Sequence, residues 1–389
     1  MPNGGGPEDE SFWASIALDF ELDPTLVFLN SASMSATSRA AAAIARLTAE
    51  TTNLAPPYYL GTVLQPSIEV VRSRLAEAFG CDREELAFAR NATIGMDQCI
   101  FGIPLSRGDE VVITDQEFPA MIRAWEQRAA REGIVVRRVV VPVPYQSDEQ
   151  FCSALEAELT PLTRLIMLSQ VTYTVGQELP VAAVTRIAHA RGIAVLVDGA
   201  QGFAHFPTSC AALDCDYYVT SLHKWLMSPP TSGFTYVRRE LIPALEPLIP
   251  PKSPMPDNVR KLEQTGAQGL ASIVAVADAL AFEAMIGETR KAERLRHLTM
   301  TWIAALSEDP RVRLLTTVTP TTPRGIAVVA IDGVDVTAVA NQLWADYRIL
   351  VSTWTSGAQP GLRVSTQVYT RAQDIAAFIA AMRKILAGS

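Results

Sequence analysis

Two residues stand where covalent chemistry on a carbonyl cofactor needs them. Lys224 ends the run Asp216-Tyr217-Tyr218-Val219-Thr220-Ser221-Leu222-His223-Lys224, twenty-six positions after the acid in Val197-Asp198-Gly199-Ala200-Gln201. Short apolar runs precede both, so the pattern sets a lysine just beyond one strand and an acid at the tip of another. An aldehyde cofactor with a protonated ring nitrogen needs an amine to form the imine and a carboxylate to keep the ring charged. Taken singly, each residue has a plainer reading: an aspartate there caps the next turn, and many lysines follow strands. Their surroundings sharpen the case. Gln201 is three residues past Asp198, within reach of a phenolic ring oxygen, while Ser221 and His223 supply donors suited to a phosphate. Trp225 and Leu226 bury the next turn, and a desolvated amine has a lowered pKa.

Three further positions extend this set. Asn91-Ala92-Thr93 precedes a helix beginning near Ile94, whose free N–H groups and dipole suit a phosphate dianion; alternatively, Asn91 or Thr93 is only an N-cap. Phe118 follows Thr114-Asp115-Gln116-Glu117 at a strand end, where it stacks on a cofactor ring or packs in the core. Arg363, in Gly361-Leu362-Arg363-Val364-Ser365, offers a bidentate guanidinium for an α-carboxylate, with a buried structural ion pair as the equal alternative.

The elements that must position these groups alternate between residues 86 and 240. Predicted strands are 86–89, 110–113, 135–141, 165–168, 194–197, 217–220 and 233–237, with amphipathic segments such as Met121 to Arg131 and Val181 to Ala190 between them. Near-continuous apolar strands alternating with helices indicate an α/β fold: a mostly parallel sheet covered on both faces, with ligands beyond the C-terminal strand ends. After the proline-rich 250–256 stretch, one long helical run from about Leu270 to Leu306 leads to a second α/β unit. That unit comprises a strand at Ile326 to Ile331, a helix from Val336 to Ala345, a strand at Leu362 to Ser365 and a final helix from Ala372 to Ala387. The expected division is an arm (1–26), a large domain (27–260), a linking helix (261–290) and a small C-terminal domain (291–389).

Composition limits the function classes. The 389 residues are 49% hydrophobic and 19% charged, with net charge −8 and no dense basic tract, which argues against nucleic-acid or anionic-membrane binding. Arg290, Lys291, Arg294 and Arg296 have helical spacing and read as a solvated face. Five cysteines without a CxxC pair and four histidines argue against a zinc or disulfide framework. The Gly/Pro/acid-rich start, Met1 to Glu10, shows no signal-peptide pattern and is expected to fray. Ala271 to Met285 is too short to span a bilayer and carries two acids, so a cytoplasmic, reduced protein is expected. No basic recognition helix suggests a cofactor-binding regulator, and Gly4-Gly5-Gly6 follows no strand, which argues against a nicotinamide dehydrogenase.

Together, VDGAQGFAHFP (197–207) and SLHKW (221–225), in this order and spacing, resemble the class V aminotransferase-like family of fold-type I pyridoxal-phosphate enzymes. The likeness runs from Val27-Phe28-Leu29-Asn30-Ser31-Ala32 to the final helix. It implies a seven-stranded, mostly parallel sheet with a smaller C-terminal domain, and pyridoxal 5'-phosphate as cofactor. Lys224 would be the Schiff-base lysine, Asp198 the partner of the ring nitrogen and Gln201 a ring-oxygen ligand, with Thr172 and Tyr173 at the other ring-oxygen position. Ala92, Thr93, Ser221 and His223 would hold the phosphate, and Thr265 and Gly266 would reach the phosphate of a neighbouring subunit, making the active form a homodimer. Arg363 would bind the substrate carboxylate; Asn30, Ser31, Tyr58, Tyr59, Trp354 and Thr355 lie in segments bordering the substrate site. The tyrosines would come from the opposite subunit, and their aromatic rings read equally as sugar-stacking surfaces or interface packing.

Two departures narrow the implied reaction. Cysteine desulfurases of the family carry a nucleophilic cysteine in the loop that here runs from Ile349 to Pro360 without a thiol. They also place histidine where Phe118 stands, and phenylalanine moves no protons. Glu117-Phe118-Pro119 and the Val171–Gly176 stretch are most similar to carbon–sulfur lyase and lincosamide-biosynthesis members, which act on S-conjugated cysteines. The resemblance therefore implies Cα deprotonation and β-elimination from an S-substituted L-cysteine in natural-product (antibiotic) biosynthesis. Decarboxylation coupled to O₂-dependent oxidative deamination is the alternative, followed by transamination or epimerisation.

Overall fold

The computed structural model describes residues 5–354 and 360–388. Seven strands build the large sheet: Leu86–Ala89 (β1), Glu110–Thr114 (β2), Val135–Val139 (β3), Thr163–Ser169 (β4), Ala194–Asp198 (β5), Tyr217–Ser221 (β6) and Gly233–Val237 (β7). Their spatial order is β1-β7-β6-β5-β4-β2-β3. Within this sheet β7 alone runs against the other six. Each strand sits where the apolar pattern put it, with β3 ending at Val139 rather than Val141.

Alternation along the strands creates two cores. Val112, Ile166, Leu168, Val195 and Val197 face one side with the helices Leu64–Phe79 and Val181–His189. Val111, Ile113, Leu165, Met167 and Leu196 face the other with Ala92–Gly102 and Pro119–Glu132. Burial on both faces is what makes these strands read as continuous apolar runs. Gly95 lets the helix Ala92–Gly102 lie close on the sheet: a Cβ there would stand 2.5 Å from Val219 Cγ1 and 2.7 Å from Thr235 Oγ1.

A second, antiparallel sheet comprises Val312–Leu314 (β8), Ile326–Ile331 (β9), Ser352–Trp354 (β10) and Gly361–Ser365 (β11), in order β10-β11-β9-β8. Trp302, Leu343 and Phe378 pack its helices into a separate core. The edge strands β8 and β10 have three residues each, too short to declare a period in sequence. Val27–Phe28 pairs in parallel with Ile349–Leu350, tying the early chain to this end.

Three expectations change. The long helical run is three helices, Ala271–Val274, Val276–Ile286 and Glu288–Leu306, the last two separated by Gly287 at φ +87°. The basic cluster is not a solvated face: Lys291 and Arg294 are fully buried, neutralised by Glu283 and Glu10. The acidic start is anchored from residue 5 onward. Asp9 caps the helix Glu10–Ala17, Gly5 donates to Asp9, and Arg294 binds the Pro7 carbonyl and Glu10. Among the described residues, no helix is long and apolar enough to cross a membrane.

Candidate active site

A cavity of about 430 Å³ opens at the C-terminal ends of β4, β5 and β6 and is closed from above by β10 and β11. Most of the expected residues converge on it: Ala92, Thr93, Phe118, Tyr173, Asp198, Gln201, Ser221, His223, Lys224, Trp354 and Arg363 all line its wall. Adjacent parallel strands carry Asp198 and Ser221, so strand pairing alone brings the acid and the lysine turn together.

The lysine turn is held firmly. The Leu222 N–H donates to the Ser232 carbonyl and the Ser228 N–H to the Leu222 carbonyl, while the Ser35 N–H donates to the His223 carbonyl. Lys224 is half-buried at the cavity floor, and its amine bonds to no other described residue. Burial pushes its pKa down from 10.5 to about 8, opposed by the Asp198 carboxylate and reinforced by Arg363. Asp198 is pushed above the usual carboxylate range by burial, against the Ala200 N–H that donates to its Oδ1 at 2.9 Å. A buried acid of this kind is stabilised when a cation meets it.

The start of the helix Ala92–Gly102 forms an anion seat. Asn91 Oδ1 accepts from the Ile94 N–H, and Ser221 Oγ accepts from the Ala92 N–H at 2.8 Å. The Thr93 N–H is left without a protein acceptor among the described residues. His223 Nδ1 is likewise buried and unpartnered, and burial lowers its pKa to about 4, so it is neutral at physiological pH.

Arg363 is fixed by its surroundings. Its Nη1 donates to the Tyr173 carbonyl at 2.7 Å, its Nη2 to Ser33 Oγ at 2.8 Å and to Asn30 Oδ1 at 3.4 Å, and its buried Nε has no partner among the described residues. No carboxylate pairs with it among the described residues, so it is not the structural ion pair that the sequence left open. Phe118 and Tyr173 meet edge-to-face at 5.4 Å beside it.

Several expected residues fall elsewhere. Thr172 is buried away from the cavity, its hydroxyl accepting from the Gln177 N–H within a tight turn, so of that pair only Tyr173 reaches the site. Ser31 is fully buried against the Tyr369 hydroxyl at 3.1 Å, and Asn30 supports Ser33 and Arg363 from behind. Gln201 lines the wall, with its amide engaged by the Ala32 carbonyl and the Trp225 indole. Tyr58 and Tyr59 contact each other near the surface, and Thr265 lines a separate cleft beside Arg90, next to Gly266 at φ +91°. Thr355 lies outside the described residues.

Two residues escaped the sequence reading. Ser33 holds Arg363, and only its nearness to Asn30 and Ser31 signalled it. Glu117 is buried, accepting from the Ser169 N–H, the Ser169 hydroxyl and the Thr114 hydroxyl. Burial pushes its carboxyl up to about 7, and it locks the segment that presents Phe118 to the strand carrying Ser169. An acid at the end of an apolar strand was its signal.

The family model described as aminotransferase class-V matches residues 33–378. The isopenicillin N epimerase of Amycolatopsis lactamdurans is 32% identical over 96% of this chain and 98% of its own length. Among solved structures, the cysteine desulfurase CsdA from Escherichia coli superposes with a TM-score of 0.85 at 23% identity, covering 96% of this chain and 98% of its own. The cystine C–S lyase C-DES, determined with cysteine persulfide, gives 0.84 at 23% identity over 92% of this chain and 97% of that one. The residues present fit the cofactor such enzymes carry: an unsatisfied helix N-terminus, a buried acid in want of a cation and a lysine amine of lowered pKa share one cavity. With its sheet, its lysine turn and its match over most of the chain, the protein belongs to the class V aminotransferase family of pyridoxal-phosphate enzymes.

Proposed function

We propose that the enzyme cleaves the carbon–sulfur bond of an S-substituted L-cysteine by Cα deprotonation and β-elimination. The observation that supports it best is the fixed guanidinium of Arg363 in the same cavity as the low-pKa amine of Lys224. When bound, pyridoxal phosphate supplies an electron-withdrawing ring conjugated to the substrate Cα. Asp198 would keep the ring nitrogen protonated, and Thr93, Ser221 and His223 would hold the phosphate. Arg363 would hold the substrate α-carboxylate, leaving the Cα proton within the range of Lys224. Lys224 takes that proton, the β-thiolate departs, and water completes the balance: the S-substituted cysteine and one water give a thiol, pyruvate and ammonia.

Three bonds to Arg363 oppose the swing of the carboxylate that decarboxylation requires. Epimerisation is the second reading, favoured by the full-length similarity to isopenicillin N epimerase. It shares the deprotonation by Lys224 but needs a proton returned to the opposite face, where Phe118 offers none.

Thr265, Gly266, Tyr58 and Tyr59 are assigned to the neighbouring active site of a cytoplasmic homodimer. The exposed Leu47, Leu54, Tyr58 and Val63 supply apolar surface for that contact. The deciding assay incubates the holoenzyme with S-benzyl-L-cysteine in deuterated buffer. It follows free thiol, pyruvate, CO₂, oxygen uptake and the configuration of recovered substrate. Turnover without thiol sinks β-elimination, and recovered D-isomer carrying deuterium establishes the second reading.

A further inference from the structure

Beyond the α-carboxylate anchor, the described residues of one protomer give the cavity no cation to offer a ligand. Its cationic or titratable basic lining residues, among those described, are His223, Lys224 and Arg363. Lys224 is committed to the cofactor and Arg363 to one carboxylate; His223 is neutral at physiological pH. The rest of the lining includes Phe118, Met121, Val171, Tyr173 and Trp354, with hydroxyls from Ser33, Thr174, Ser352 and from Thr353 on β10. Two acids already stand at this site: Asp198 lines the cavity, and Glu117 lies behind Ser169. A second carboxylate on the ligand would lose its water against aromatic and thioether groups with nothing to neutralise it. A neutral group of the same shape would keep the wall contacts and find hydroxyl partners.

We propose that the site selects amino acids carrying a single carboxylate and an uncharged aromatic, apolar or hydroxyl-rich β-substituent, and that it rejects dicarboxylic amino acids. This rests on the assignment of Arg363 to the α-carboxylate.

The test uses an isosteric pair, S-carbamoylmethyl-L-cysteine and S-carboxymethyl-L-cysteine, which differ by an amide against a carboxylate. Each is titrated into the holoenzyme, and apparent Kd is read from the change in the bound cofactor's visible absorbance, which does not depend on turnover. The amide should bind at least ~10-fold more tightly, the scale of an unpaired charge in a partly wet site. Thr353→Arg, which adds a guanidinium to the cavity lining, should narrow or reverse that preference. Equal or tighter binding of the carboxymethyl compound by the unaltered enzyme overturns the proposal. So does an unchanged preference in a folded Thr353→Arg enzyme that retains its cofactor. If neither compound perturbs the spectrum, the Arg363 assignment fails and this inference with it. Binding of the amide without thiol release refutes β-elimination alone.

Discussion

Lys291 Nζ donates to the carbonyl of Trp225 at 2.5 Å, one residue beyond Lys224, from a position with no exposed surface. The same amine binds Glu283 Oε2 at 2.7 Å, so a buried ion pair on the two helices flanking Gly287 holds the lysine turn from behind. Removing one partner strands the other charge in the core. Lys291→Met should destabilise the protein by about 3–5 kcal/mol in denaturant unfolding, while the double variant Lys291→Met/Glu283→Leu should regain much of that loss. Equal stability of the two variants would count against a buried charge pair.

The amine of Lys224 offers a titration. Burial disfavours the ammonium, so the nucleophilic free base is present at lower pH than for a solvated lysine. Stripped of cofactor, the protein should take up pyridoxal phosphate faster as pH rises, levelling off above about 8. Asp198 holds that amine protonated, so Asp198→Asn should move the midpoint lower. A midpoint near 10.5 in the unaltered protein would contradict the buried setting.

Arg363→Lys keeps a cation but loses the planar fork that spans the Tyr173 carbonyl, Ser33 and a carboxylate. A fall of roughly 100-fold in kcat/KM is expected, with the cofactor's absorbance retained, since the guanidinium touches substrate rather than cofactor. Steady-state kinetics beside an absorbance spectrum check both halves.

Gly95→Ala tests the seating of the phosphate helix. The added methyl would meet Val219 Cγ1 and Thr235 Oγ1 well inside contact distance, from the sheet below. Overpacking of this kind costs about 1–3 kcal/mol and lifts the helix that presents the Thr93 N–H. Both the thermal midpoint and the retention of cofactor through gel filtration should drop together.

Much of this was legible in the chain. The inner strands of the large sheet declared themselves because burial on both faces leaves them rich in apolar residues, whereas the edge strand β3, with Arg137 and Arg138, is partly exposed and was signalled only by its valines. Lys224 and Asp198 stood out because charge at the end of such a strand is conspicuous. The supports were harder to see. Ser33 acts through a long-range bond to Arg363 that no local spacing announces, and the helical spacing of Lys291 and Arg294 concealed that their neutralising acids lie on other helices. Thr172 misled because adjacent residues in a turn point to different surroundings: its hydroxyl closes the turn while Tyr173 faces the site.

β7 runs against its neighbours, and so the chain returns beside β6 after only the residues 222–232. Contacts between nearby positions form early, whereas closing a long loop is slow. Arg363, 139 positions after Lys224, must wait for the C-terminal strands to emerge and pair. During synthesis the strands that carry Asp198 and the lysine turn are therefore present well before the strand that carries Arg363.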